Sequence, residues 1–140
     1  MKKTYKFTRS VPLSVEKAYQ LAADVGKYPE FIPSVKSARI VSEEGNTKIV
    51  EIEFHHSLLS VRHIGKATFV ENQQIAIKQI EGLGKNLLIT WKFEPIESST
   101  KISLVLDFES DSRLLGHFTV HTIERITSEI MQYYVRMASK

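Results

Sequence analysis

The stretch RLLGHFTVHTIERITSEIMQYYVRMASK, residues 113–140, decides how the rest of the chain must fold. Apolar residues recur at Leu115, Phe118, Ile123, Ile126, Ile130, Tyr134 and Met137, close to the three-to-four spacing of one helical face. Glu124, Arg125, Ser128, Glu129, Gln132 and Arg136 fall between them as the solvated side. No proline interrupts the run, and Gly116 sits in its first turn, where ordering it costs little. Some two dozen residues at ~1.5 Å each make a rod of about 36 Å. Such a rod cannot bury its stripe on itself. It needs a broad partner surface, and the preceding sequence reads as one.

That preceding sequence is mostly strands. The chain opens with one around Thr4–Val11, ended by Pro12. Ser14 is a helix N-cap signal, followed by Val15, Ala18, Tyr19, Leu21, Ala22 and Val25 as the apolar face of a helix ending near Gly26. Pro29 and Pro33 then bracket Tyr28, Phe31 and Ile32, predicting an aromatic corner with a short helical turn. Six strands are expected after it: 34–42, 47–56, 58–70, 75–80, 87–95 and 101–109. Their connections are short, so neighbours should pair antiparallel. Alternation puts Leu87, Ile89, Trp91 and Phe93 on one face, and Ile102, Leu104, Leu106 and Phe108 on another such face. The expected class is α+β. A curved seven-stranded antiparallel sheet wraps a long C-terminal helix, with two short helices between the first and second strands. A wide twisted sheet leaves room for a cavity beside the helix.

Composition sets outer limits. The chain has 140 residues, 42% hydrophobic and 25% charged, in keeping with one globular domain over 1–140. At that size folding buries roughly 68% of the unfolded surface, enough for a self-sufficient core. With no cysteine, disulfides, thiolate metal sites and cysteine nucleophiles are excluded. Met1-Lys2-Lys3 runs into an alternating strand rather than a signal peptide's apolar core, and no run of ~18 apolar residues occurs. A soluble, cytoplasmic protein is expected, with peripheral contact to a membrane as an option. The net charge is +3, part of it in Lys2, Lys3, Lys6 and Arg9 of the first strand. Those residues read either as a lysine-protected sheet edge or as a patch for anionic partners.

The block from Ala18 to Pro33, with Asp24-Val25 and Tyr28-Pro29-Glu30-Phe31-Ile32-Pro33, resembles the signature of the coenzyme Q-binding and polyketide cyclase/dehydratase family of START-like proteins. Trp91-Lys92-Phe93, Phe108-Glu109 and Leu114-Leu115-Gly116 follow in the family's order, so the likeness spans nearly the whole chain. Ser34 and Val35 stand where members often carry tryptophan and cysteine, and Gly82-Leu83-Gly84-Lys85 replaces a Gly-Pro-Phe loop. The resemblance implies a helix-grip fold whose cavity holds a hydrophobic molecule. In one branch the ligand is a polyprenylated quinone; another branch is ribosome-associated and toxin-like, and a third is enzymatic. Phe31, Phe54, Trp91, Phe93, Leu106, Phe108, Phe118 and Tyr134 are the candidate lining, and with the cavity filled they would simply be core.

The expected function is therefore non-enzymatic binding or transport of an isoprenoid quinone or related lipid, with no resident cofactor. A ribosome- or protein-interaction module is the alternative, and a cyclase or dehydratase the third. Of the five histidines, His55, His56 and His63 lie on adjoining strands, while His117 and His121 are four apart on the last helix, a spacing zinc accepts. The intervening Phe118-Thr119-Val120 lacks a metalloprotease glutamate, and solvated or hydrogen-bonded histidines are the commoner outcome. Asp107 with Glu109, and Glu51 with Glu53, fall on outward faces, unsuited to acid–base work in a pocket. Asp24 is expected to hydrogen-bond the backbone of the proline-bounded corner, with a place at the pocket mouth as the other reading.

Overall fold

A computed structural model describes residues 2–56, 59–82, 85–109 and 113–138. Strand β1 (Lys2–Val11) leads into helix α1 (Val15–Ala23), a 3-10 turn (Val25–Lys27) and the single-turn helix α2 (Tyr28–Phe31). Six strands follow: β2 (Val35–Glu44), β3 (Thr47–His56), β4 (Leu59–Val70), β5 (Gln74–Glu81), β6 (Lys85–Ile96) and β7 (Ser99–Glu109). Helix α3 (Arg113–Ala138), of 26 residues, is the last described element. The seven strands form one antiparallel sheet in the order β1-β7-β6-β5-β4-β3-β2. This is the helix-grip arrangement that the patterning and the resemblance imply.

Local chemistry explains the elements between β1 and β2. Ser14 Oγ accepts from the Lys17 N–H at 3.3 Å and caps α1. The helix stops at Ala23, three residues before Gly26, because Asp24 leaves helical geometry at φ −83° and ψ 66°. Pro29 falls in the first turn of α2, where its missing N–H has no bond to lose. The Tyr28 hydroxyl donates to the Ala22 carbonyl, folding the corner back onto the end of α1. Asp24 departs from expectation. Its carboxylate pairs with Lys27 Nζ at 3.4 Å on the surface and makes no capping bond to the turn that follows it.

The expected inner face carries the core. Leu87, Trp91, Phe93, Ile102, Leu104, Leu106 and Phe108 are buried, while Lys92 and Glu94 are exposed. From α3, Ile126, Ile130, Met131 and Tyr134 join this core. The side chains of Leu115, Phe118 and Ile123 lie outside the described residues. Glu129, expected on the solvated side, instead reaches back to Ser34. It accepts from the backbone N–H at 3.0 Å and from Oγ at 2.8 Å, fixing the helix over the start of β2.

The outer face is polar in the way the alternation requires. Glu51 bridges Arg39 at 3.3 Å and Arg62 at 3.2 Å, spanning three strands. These guanidinium bonds hold the Glu51 carboxyl below its ordinary range. Asp107 accepts from the Thr4 hydroxyl, and Glu109 pairs with Lys2. These acids are tied to the outside of the sheet.

Candidate binding cavity

Between the inner face of the sheet and the helices lies a cavity of about 110 Å³. Strands β3 to β7 make its floor, through residues such as Val50, Ile52, Phe69, Ile75 and Leu104. Ala22, Val25, Tyr28 and Ile32 form one wall, and α3 closes over it with Ile126, Thr127 and Ile130. Apart from His63, Gln79 and Thr127, every described lining residue is aliphatic or aromatic. The Tyr28 hydroxyl is committed to Ala22, so the ring presents its apolar body. Such a surface is suited to enclosing an apolar molecule.

The candidate lining residues divide into groups. Phe54, Trp91 and Leu106 border this cavity. Phe31 and Tyr134 instead border a separate void of about 10 Å³, which Trp91 also lines. Phe31 stacks on Tyr133 with ring centroids 3.8 Å apart and so clamps α2 to α3. Tyr134 is 1% exposed, and its hydroxyl donates to the Ala18 carbonyl at 2.7 Å, joining α3 to α1. Phe93 and Phe108 share the inner face but are not on the cavity wall. The first packs edge-on against Tyr19, 5.6 Å between centroids, and the second stacks on Tyr5 at 6.0 Å. The side chain of Phe118 lies outside the described residues.

Replacing Tyr134 with phenylalanine tests its structural role. The change should cost about 1 kcal/mol, the net worth of one buried hydrogen bond, since the Ala18 carbonyl keeps its helical partner within α1. Urea denaturation measures it, and an unchanged midpoint would show that this bond adds nothing to stability.

Among the lining residues, His63 departs most from the apolar pattern. It follows Val61 and precedes Gly65, Ala67 and Phe69 on the inward parity of β4, and it is 8% exposed. Two glycines make room for its ring. A Cβ on Gly65 would stand 3.1 Å from His63 Cε1 and 2.6 Å from Ile77 Cγ2, and one on Gly82 would stand 2.9 Å from His63 Cδ2. Burial pushes the imidazole down to about 4, partly offset by its contact with Gln79, so the ring is neutral at pH 7. Its Nε2 has no hydrogen-bond partner. The sequence places it with His55 and His56 on adjoining strands, and the parity of β4 is the signal that separates it. His55 and His121 are exposed, and the side chains of His56 and His117 lie outside the described residues. Among the described residues no three of His, Cys, Asp and Glu gather in a metal-binding group. No described helix is long and apolar enough to cross a membrane.

Comparison with known proteins sets this geometry in a family. The model for the family described as polyketide cyclase / dehydrase and lipid transport matches residues 11–132. The ribosome association toxin RatA of Escherichia coli is 26% identical over 134 residues, 95% of this chain and 85% of its own. The mitochondrial coenzyme Q-binding protein COQ10 homolog B of Xenopus laevis is 21% identical, over 97% of this chain and 58% of its own. The crystal structure of the Zhui aromatase/cyclase from a Streptomyces species matches with a TM-score of 0.89 and 14% identity, covering 99% of this chain and 94% of that one. At that identity the likeness is one of fold.

Proposed function

This chain belongs to the polyketide cyclase / dehydrase and lipid transport family, and we propose that it binds and carries a hydrophobic small molecule, an isoprenoid quinone or related lipid, in the cavity under α3. The observation that carries this reading is the cavity's lining, apolar except at three positions. Each methylene moved from water into such a site is worth about 0.8 kcal/mol, so an isoprenoid body binds without specific contacts. A volume of about 110 Å³ approaches the ~150 Å³ of a cavity that takes benzene. It suits one ring or a short branched segment. The remainder of a long tail would lie outside, in keeping with work at a membrane surface in the cytoplasm. The coenzyme Q-binding name of the Xenopus relative supports the same ligand class.

The test is mass spectrometry of an organic extract from protein purified out of its own organism, beside a matched blank and a Val50→Phe variant. Val50 is buried on the cavity floor, and a phenyl ring there occupies the space that a ligand would use. Ordinarily such overpacking costs about 1–3 kcal/mol, but here the void accepts the added atoms. The expected result is stoichiometric lipid in the native protein and at least a roughly tenfold loss in the variant, at a melting temperature within a few degrees. A clean native extract, together with no thermal shift on adding quinones, would overturn the reading.

A second reading, association with the ribosome, is favoured by the RatA relative, which is similar over most of both chains. The exposed Lys3, Lys6 and Arg9 of β1 would supply its electrostatic contact. Salt-dependent co-sedimentation with ribosomal particles, lost when these three are changed to glutamate, would support it. Co-sedimentation indifferent to salt and to those charges would count against it.

A further inference from the structure

The polar end of the cavity carries an inference about how a ligand lies in it. His63 is more than nine-tenths buried, lines the cavity, and keeps Nε2 without a partner. The structure makes room for this ring: a side chain at Gly82 would collide with it, one at Gly65 would collide with Ile77 and crowd it, and the β4–β5 register shifts between Ile64 and Gly65 beside it. A buried imidazole nitrogen without a partner is unfavourable, and an aliphatic residue would pack there more simply. Among the described residues, no lysine or arginine lines the cavity. A carboxylate or phosphate entering this space would lose its hydration without meeting a cation.

We propose that His63 Nε2 hydrogen-bonds the oxygen of an uncharged ring or ketone group, so that the ligand enters oxygen-first and its hydrocarbon part trails outward. The ligand class is a neutral molecule bearing a carbonyl or hydroxyl on a compact apolar head, such as a quinone or phenol ring. Anionic lipids, which would enter tail-first and leave the charge in water, are selected against. This rests on the reading that the cavity holds a hydrophobic molecule and adds the orientation and charge of that molecule. Imidazole serves either oxygen type, donating to a carbonyl or accepting from a hydroxyl according to its tautomer.

The experiment titrates the protein with toluene, 4-methylphenol, acetophenone and benzoate, four ring-sized probes differing in one group. It follows binding by NMR, including the His63 imidazole nitrogen shifts. In the native protein, 4-methylphenol or acetophenone should move the Nε2 resonance, and toluene should bind without moving it. His63→Leu should weaken the oxygenated probes roughly tenfold, about 1.4 kcal/mol, and leave toluene unchanged or tighter. His63→Gln, which keeps a hydrogen-bonding group, should recover part of the loss. The nitrogen shift is read on the native chain, so the test survives a variant that folds poorly. Equal loss for toluene and the oxygenated probes, a static Nε2 resonance, or benzoate binding as well as 4-methylphenol would each overturn the proposal while leaving the cavity reading in place. Binding of none of the four would overturn the cavity reading, and this proposal with it.

Discussion

Replacing Trp91 with alanine is expected to lower the unfolding free energy by about 3–5 kcal/mol, the range for deleting a large buried aromatic. Trp91 is 4% exposed at the middle of β6, paired in register with Ile75 on one side and Leu104 on the other. Its indole stacks on Phe93 at 6.1 Å between centroids and, with Ala22, Tyr28, Ile32 and Ile130, lines both the main cavity and the smaller void. Without the indole the space it borders enlarges, and strands held by backbone ladders on both sides cannot close over the gap. The cost should therefore sit toward the upper end. A melting temperature lower by roughly 10 °C or more follows for a chain of this size. Denaturant titration decides the matter, and a loss below about 1.5 kcal/mol would mean that α3 settles into the vacated volume.

The second large effect comes from acid. His63 titrates at about 4 in the folded protein against 6.5 when free, the depression arising from burial. The unfolded chain thus binds the proton more readily, and folding stability falls as pH drops through the window from 6.5 to 4. Above 6.5 this contribution is fully present; below 4 it is gone. The shift corresponds to about 3 kcal/mol, taking ~1.36 kcal/mol per unit. Carboxylates such as Glu51, held low by Arg39 and Arg62, also lose stabilisation in acid. The diagnostic quantity is the difference between native protein and His63→Leu, measured at pH 7 and at pH 4. The variant should lack the histidine component and lose less stability over that interval. Parallel curves for the two proteins would mean that His63 is solvated in the folded state.

The fold was legible because most strands obey the two-residue period and most breaks carry turn residues; β2, largely exposed and twice shifted in register against β3, is the exception. Predicted and observed strand limits agree within two residues, and 47–56 coincides with β3. Periodicity assigns a face, however, and says nothing of position along it. Trp91 and Phe93 are equivalent by parity, yet one borders the cavity and the other packs under Tyr19 of α1. Phe108 lies on the same face as Leu106 but is taken up by Tyr5 of β1. Those outcomes depend on where the helices and β1 cross the sheet, which is a long-range matter. Phe31 belongs to an aromatic corner whose direction the sequence leaves open, and it points at Tyr133. His63 was within reach, since Val61, Ala67 and Phe69 mark its parity as inward. Its meaning needed the two glycines and the cavity to be seen together.

The strand order also bears on how the chain reaches its native state. From β2 to β7 every neighbour in the sheet is the next strand in the chain, so this part can zip from one hairpin to the next through local contacts. β1 is different: Val11 pairs with Thr100 and Lys2 with Glu109, closing a loop of about ninety residues. The same long closure brings Ala18 to Tyr134. Docking of β1 and α1 should therefore be the late step, after a six-stranded meander has formed. Substitutions at the β1–β7 seam would then mainly accelerate unfolding, and those in the β3–β4 hairpin would mainly slow folding.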